Sequence, residues 1–293
     1  MSLRFAKVEG LGNDFVLLEA RRPHALALSE EVVRRLCDRR RGVGADGVVA
    51  VGPLRDGRLE VRFWNADGSL AGNCGNGLRC VVLHVARRGD LGLGHAVCLR
   101  TDGAETEAEL LALDGSVATV ALQMPAARFE PEAVPVRSER PLQEAQVDVG
   151  PWRPRMTALS LGNPHAVLLD PDLEDEQWEP LARALQDDPR FPEGVNVGFA
   201  RRLEPRRIAL RVWERGVGWT EACGTGACAA AVALARAERE RLGEPLTVEL
   251  PGGALQVTVA ADGSSRLVGP ARHVFDGALH GPPWEAVAHA LEG

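Results

Sequence analysis

The 293-residue chain has no tyrosine and a single lysine, Lys7, so arginine supplies nearly all of its positive charge. That scarcity weighs against pyridoxal chemistry, which needs a lysine amine for its Schiff base. Lys7 sits in an ordinary-looking first strand with no glycine-rich phosphate cradle beside it, and reads as a surface charge. No signal peptide is expected either, because the opening residues MSLRFAKVEG lack an apolar core. The longest apolar run, around Ala227 to Ala235, is too short to span a bilayer. The expectation is a cytoplasmic protein with no membrane partner. There is no basic stripe: the net charge is −7 with mixed signs along the chain, which argues against a nucleic-acid partner. Finally, the six cysteines, at positions 37, 74, 80, 98, 223 and 228, show no CxxC spacing. In a reducing compartment they are expected to be free thiols, with no metal site.

What is present is an internal repeat. GNDFVLL, beginning at Gly12, returns 150 residues later as GNPHAVLL from Gly162. RGVGADGVV from Arg41 is echoed by EGVNVGFA from Glu193, and VRFWNADG from Val61 by LRVWERGVG from Leu210. NCGNG at Asn73 to Gly77 corresponds to ACGTG at Ala222 to Gly226, an offset of 149. Four landmarks in one order with nearly constant spacing imply a duplicated pair of domains.

Each half shows alternating apolar segments, such as Val48 to Val51 and Leu59 to Phe63, that lead into a glycine-rich turn and then a helix. The predicted helices cover Asn76 to Arg88 and Gly226 to Ala237, and both are apolar on nearly all sides, as buried helices are. The expected fold class is α+β: two pseudo-symmetric lobes, each a sheet wrapped around a central helix, with the active site in the cleft between them. Prolines 125, 131, 135, 141, 151 and 154 crowd the connection between the halves. The expected lobes are residues 1–118 and 119–267, with 268–284 returning to the first.

A free cysteine is by default a small buried hydrophobe, and Cys37, Cys80, Cys98 and Cys228 take that reading. Cys74 and Cys223 differ. Each opens a helix whose first N–H groups lack internal partners, a position that draws a thiol pKa down from roughly 8.5 toward neutrality. Each is flanked by glycines that permit close approach to the backbone, and the paired helix ends suit a carboxylate. Duplication would place the two thiols at equivalent points facing each other. Inverting a stereocentre requires removing a proton from one face and delivering one to the other, and a thiolate opposite a thiol does this without metal or organic cofactor. Asn13 and Asn163 occupy equivalent places, Asn65 and Asn196 lie in further landmark loops, and Arg215 offers a fork for a second carboxylate. Taken singly, each asparagine reads as a turn residue. His165 and Glu214 break the repeat, and a His–carboxylate pair near one thiol would make that thiol the base; the alternative is a satisfied core histidine.

Over nearly its full length the chain resembles diaminopimelate epimerases, through FAKVEGLGNDF, GVGADG, FWNADGS, CGNGLR, GNPHAV, GVNV and ERGVGWTEACGTG. The resemblance implies conversion of LL-2,6-diaminopimelate to the meso isomer, in lysine and peptidoglycan precursor synthesis, without pyridoxal phosphate. It implies Cys74 and Cys223 as the acid/base pair, assisted by His165 and Glu214. The substrate contacts it implies are Asn13, Asn65, Gly75, Asn76, Asn163, Asn196, Glu214, Arg215, Gly224 and Thr225. A homodimer is compatible with it. Three positions depart from the family pattern: Glu9 and Leu70, expected to touch only the surface, and Gly47, where some members carry a substrate-contacting glutamine. The rival readings are a proline or hydroxyproline epimerase of the same two-lobed type, and a thiol-redox or metal-binding protein joining Cys74 to Cys223. Against the first, Asn76 stands where proline-type sites carry histidine.

Overall fold

A computed structural model of the chain describes residues 2–238 and 242–293. The molecule divides into two compact units, Met1–Leu122 with Gly269–Gly293, and Gln123–Val268.

The first unit begins with β1 (Leu3–Gly10) and β2 (Asn13–Glu19), an antiparallel pair in which Val8 faces Phe15. Their turn passes through Leu11 and Gly12, both at positive φ, and the Gly12 N–H donates to Glu9 Oε2 at 3.0 Å. Helix α1 (Glu30–Cys37) starts at Ser29, whose hydroxyl caps Val32 N–H, and carries the chain across to β3 (Gly47–Val51). β3 lies parallel to β2 and is buried throughout, as expected of a strand covered on both faces. β4 (Arg58–Asn65) runs antiparallel to β3 with Gly47 opposite Asn65, and β5 (Leu70–Ala71) turns back on β4. Helix α2 (Gly75–Arg87) follows, burying Leu78, Cys80, Val81, Val82, Leu83 and Val85 against β1, β2 and β7. β6 (Ala96–Arg100) then runs parallel to β4, and β7 (Glu105–Asp114) and β8 (Val117–Met124) complete the meander.

The second unit opens with β9 (Ala145–Gln146), which pairs with β10 (Arg155–Ser160). From there it repeats the first unit's pairings step by step. β10 is antiparallel to β11 (Pro164–Leu169), with Leu159 opposite His165. Helix α3 (Trp178–Gln186) crosses to β12 (Asn196–Glu204), parallel to β11 with His165 opposite Asn196. β13 (Arg207–Glu214) is antiparallel to β12, β14 (Gly218–Trp219) turns back on it, and helix α4 (Gly224–Ala237) follows. β15 (Pro245–Leu250) is parallel to β13, and β16 (Gly253–Val259) pairs with β15. Trp178 stacks on Phe199 at 4.9 Å between ring centres, inside a core with Leu181, Leu185 and Trp213.

The last strand, β17 (Ser265–Leu279), pairs through Ser265–Val268 with β16 in the second unit; from Arg272 to Leu279 it lies against β1 in the first. Helix α5 (Trp284–Glu292) then buries Trp284, Val287 and Leu291 with Leu3, Phe5 and Leu36. The fold class is α+β, each unit a sheet with one nearly all-buried helix. That helix begins at Gly224 in the second unit, two residues earlier than its apolar pattern predicts.

Candidate active site

Cys74 and Cys223 occupy the same place in the two units: each is the N-cap residue of the buried helix, with extended backbone. The glycine three residues after each cysteine has a packing cause. A Cβ at Gly77 would fall 2.4 Å from the Phe63 ring, and one at Gly226 would fall 2.9 Å from Val212 Cγ2 and 3.2 Å from Cys223 Sγ. Neither position needs positive φ; the helix simply comes too close to the sheet for a side chain.

In the first unit half-buried Cys74 has its Sγ 3.7 Å from Asn13 Oδ1, the first residue of β2. The Asn76 amide donates to that same oxygen at 3.3 Å. Asn13, Cys74, Gly75 and Asn76 therefore form one cluster. Asn65, exposed at the end of β4, donates to Ser69 Oγ at 2.9 Å.

The second unit gathers a larger set. Buried Cys223 accepts the Gly226 N–H at 3.3 Å, and its Sγ lies 3.5 Å from Thr225 Oγ1. Thr225 in turn accepts from Asn163 Nδ2 at 3.3 Å, and Asn163 Oδ1 meets His165 Nε2 at 3.0 Å. Asn196 donates to Pro164 O and accepts the Arg215 backbone N–H at 2.9 Å. Glu214 accepts from Thr220 Oγ1 at 2.6 Å and from the Cys223 thiol. Arg215 is exposed, with Nη1 donating to the Glu193 carbonyl at 2.8 Å.

The repeat makes the asymmetry between the units legible. Phe15, Gly47 and Asn65 lie side by side across β2, β3 and β4 in the first unit. The corresponding row in the second holds His165 and Asn196, with Glu214 next along the β12–β13 ladder. The same row of the scaffold thus presents an apolar ring, a glycine and one asparagine in one unit, and a polar trio in the other. Burial, with the Arg215 charge, pushes His165 down to about 3, so its imidazole is neutral at ordinary pH. Burial also raises the Glu214 carboxyl, against the bonds it receives from Thr220 and Cys223. Glu214, a carboxyl raised by burial, lies against the Cys223 thiol at the helix mouth, while neutral His165 bonds Asn163.

The model of the family described as diaminopimelate epimerase matches residues 5–128 and 157–274. The chain belongs to this family. The diaminopimelate epimerase of Halorhodospira halophila is 42% identical over 285 residues, covering 96% of this chain and 96% of that protein. That of Alkalilimnicola ehrlichii is 41% identical over 283 residues, covering 95% and 99%. Among solved structures, a probable proline racemase from Agrobacterium radiobacter with bound carbonate aligns with TM-score 0.68 at 16% identity, covering 97% of this chain and 95% of that one. A hydroxyproline epimerase from Agrobacterium vitis with bound trans-4-hydroxy-L-proline gives 0.66 at 16%, covering 95% and 91%. At that identity the likeness carries the fold alone.

Within this diaminopimelate epimerase family member several sequence expectations need correction. Lys7 is not a surface charge: it is buried, paired with Asp14 at 2.5 Å and donating to the Gly44 carbonyl. The reason is the β1–β2 pairing, which turns Lys7 inward toward Asp14 and the loop before β3. His165 and Glu214 do not bond to each other; the former holds Asn163 and the latter Thr220 and Cys223. Glu9 does more than touch the surface, since it caps the β1–β2 turn and pairs with Arg272 at 3.3 Å, whereas Leu70 is exposed. At Gly47 a Cβ would stand 2.6 Å from the Trp64 carbonyl, so a side chain there would require the β3–β4 backbone to shift. The sequence reading passed over Asp46 and Arg79. An arginine set between Leu78 and Cys80 on the buried stretch of α2 was the available signal for the latter.

None of the six cysteines is joined in a disulfide. Burial pushes Cys37 up to about 11 and raises Cys80 further, so both are inert. Among the described residues no group of three or more His, Cys, Asp or Glu side chains is placed to hold a metal ion, and no helix is long and apolar enough to cross a membrane.

Proposed function

We propose that this chain is a pyridoxal-independent epimerase interconverting LL- and meso-2,6-diaminopimelate, in lysine and peptidoglycan precursor synthesis. Cys74 and Cys223 are its acid/base pair on opposite faces of one α-carbon. The observation that carries the reading is the placement of two cysteines at identical helix N-caps of a doubled fold, in a chain sharing about two residues in five with diaminopimelate epimerases over nearly its whole length.

One thiolate takes the α-proton, leaving the electron pair on carbon and the negative charge spread into the adjoining carboxylate. The thiol opposite delivers its own proton to the other face. The stereocentre is inverted, and the two sulfurs have exchanged protonation states, so the reverse reaction starts from the product arrangement. The N–H groups in the first turns of the two helices stabilise the carboxylate as charge develops on it. Neutral His165 orients Asn163, and through it Thr225 beside Cys223; Glu214 lies against the Cys223 thiol and can relieve it of its proton before turnover. Asn13, Asn65, Gly75, Asn76, Asn163, Asn196, Glu214, Arg215, Gly224 and Thr225 hold the substrate, with Arg215 on the distal carboxylate.

The test is incubation with LL-diaminopimelate in heavy water, with no pyridoxal phosphate added, following the α-proton signal. Loss of the signal with appearance of meso product is expected, and Cys74→Ala should abolish formation of the meso product while the protein keeps its circular dichroism spectrum. Exchange with proline and none with diaminopimelate would move the assignment to the proline-type rival.

A further inference from the structure

We propose that Asp46 and Arg79 are positioning residues that lock the side-chain amides of Asn13 and Asn76 in one orientation, so that Cys74 always meets an amide oxygen. The inference rests on the acid/base reading of Cys74.

A side-chain amide can present either of two ends, its oxygen or its NH₂, and its neighbours decide which. Asn13 Nδ2 donates to Asp46 Oδ2 at 3.0 Å. A carboxylate only accepts, so the NH₂ of Asn13 is committed to Asp46 and its Oδ1 faces the other way. Arg79 Nη2 donates to Asn76 Oδ1 at 2.8 Å. A guanidinium only donates, so the NH₂ of Asn76 is turned toward Asn13 Oδ1. That oxygen is the atom 3.7 Å from Cys74 Sγ. An acceptor-only group at one end and a donor-only group at the other thus fix a row of two amides that neither would fix alone.

Both anchors are themselves held. Asp46 accepts from Arg39 at 2.8 Å and from the Asp14 backbone N–H at 3.1 Å. Arg79 is completely buried, with Nε donating to the Pro270 carbonyl at 3.1 Å and Nη1 to the Gly75 carbonyl at 3.4 Å. Desolvating a guanidinium inside an apolar helix is costly, and packing alone gives no return for it.

Orientation has a chemical consequence. An oxygen facing Cys74 accepts its S–H and favours the thiol, whereas a turned amide would offer an N–H and favour the thiolate. The two anchors therefore hold Cys74 in its proton-bearing form until substrate arrives.

The experiment reads iodoacetamide alkylation of Cys74 against pH in the full-length chain, peptide by peptide by mass spectrometry, with Cys223 as internal reference. Asp46→Ala frees the Asn13 amide, and the Cys74 midpoint should fall while that of Cys223 stays; kcat for α-proton exchange should drop more than KM rises. In Asp46→Asn the Asp14 backbone N–H, a donor to the same Oδ2 that Asn13 reaches, holds the new amide's oxygen at that place, so Asn13 keeps its acceptor and the Cys74 midpoint should return to that of the unsubstituted chain. Should Asp46→Ala not fold, Asn13→Asp, which can only accept, should move the Cys74 midpoint upward. An unmoved Cys74 midpoint in either folded variant overturns the proposal. So does an equal shift at both thiols, or a shift in Asp46→Asn as large as in Asp46→Ala, which would assign the effect to lost charge. Failure of the unsubstituted chain to exchange the diaminopimelate α-proton would instead overturn the proposed function, because the alkylation midpoint does not depend on turnover.

Discussion

Lys7 and Asp14 form an ion pair inside the first unit, with Arg39 completing a bidentate contact to the same carboxylate at 2.8 and 3.0 Å. Burial alone would raise the Asp14 carboxyl, but the hydrogen bonds from Arg39 and Lys7 outweigh it and hold the group well below the usual carboxylate range. A depressed carboxyl contributes stability that is present above its ordinary value of 3.8 and is lost as pH falls below it. Lys7→Met should lower unfolding stability by about 2 kcal/mol at neutral pH, measured by urea titration, with the gap to the unsubstituted chain closing in acid. Glu214 has the opposite sign. Its carboxyl is raised by burial, so its contribution is present below the ordinary value of 4.5 and lost as pH rises through the folded value. Glu214→Gln should therefore raise the urea midpoint at pH 8 while lowering kcat, the trade expected where a strained group serves the reaction.

At the scale of elements, the two helices α2 and α4 are held against their sheets by missing side chains as much as by present ones. Gly77→Ala would drive a methyl into Phe63, which is itself fully buried and cannot retreat. A loss of about 1–3 kcal/mol is expected for such overpacking, read by denaturant titration. Gly226→Ala meets Val212 and the Cys223 sulfur, so it should cost less stability than Gly77→Ala but reduce turnover more, by displacing the thiol. The helix positions follow from local pattern: an apolar run after a Cys–Gly–x–Gly turn predicts both. The reason for the last glycine is not local, because Phe63 and Val212 reach it from strands before the turn.

For the whole molecule, the tail decides the integrity of the first unit. β17 pairs with β1 from Leu3 to Glu9, and α5 adds Trp284, Val287 and Leu291 to the core around Leu3, Phe5 and Leu36. Ending the chain at Val268 should remove hydrogen-exchange protection from β1 and α1 while β10 to β13 stay protected, measured by peptide-resolved exchange. The second unit's core, centred on Trp178, Phe199 and Trp213, draws nothing from the tail.

The order of residues by itself determined the doubling, the alternation of strands and buried helices, and the two cysteines that open those helices. All three are written in spacing and periodicity, which act over a few residues at a time. The substitution of His165 and Glu214 for Phe15 and Asn65 was legible for the same reason, since a repeat exposes its own exceptions. Only the tertiary structure decided that Lys7 is buried, that His165 bonds Asn163 while Glu214 bonds Thr220, and that Asp46 and Arg79 govern two amides. These contacts join residues as far apart as Arg79 and Pro270, 191 positions away in the chain. A side chain's polarity states which bonds it can make, while strand pairing and burial decide which partner is within reach.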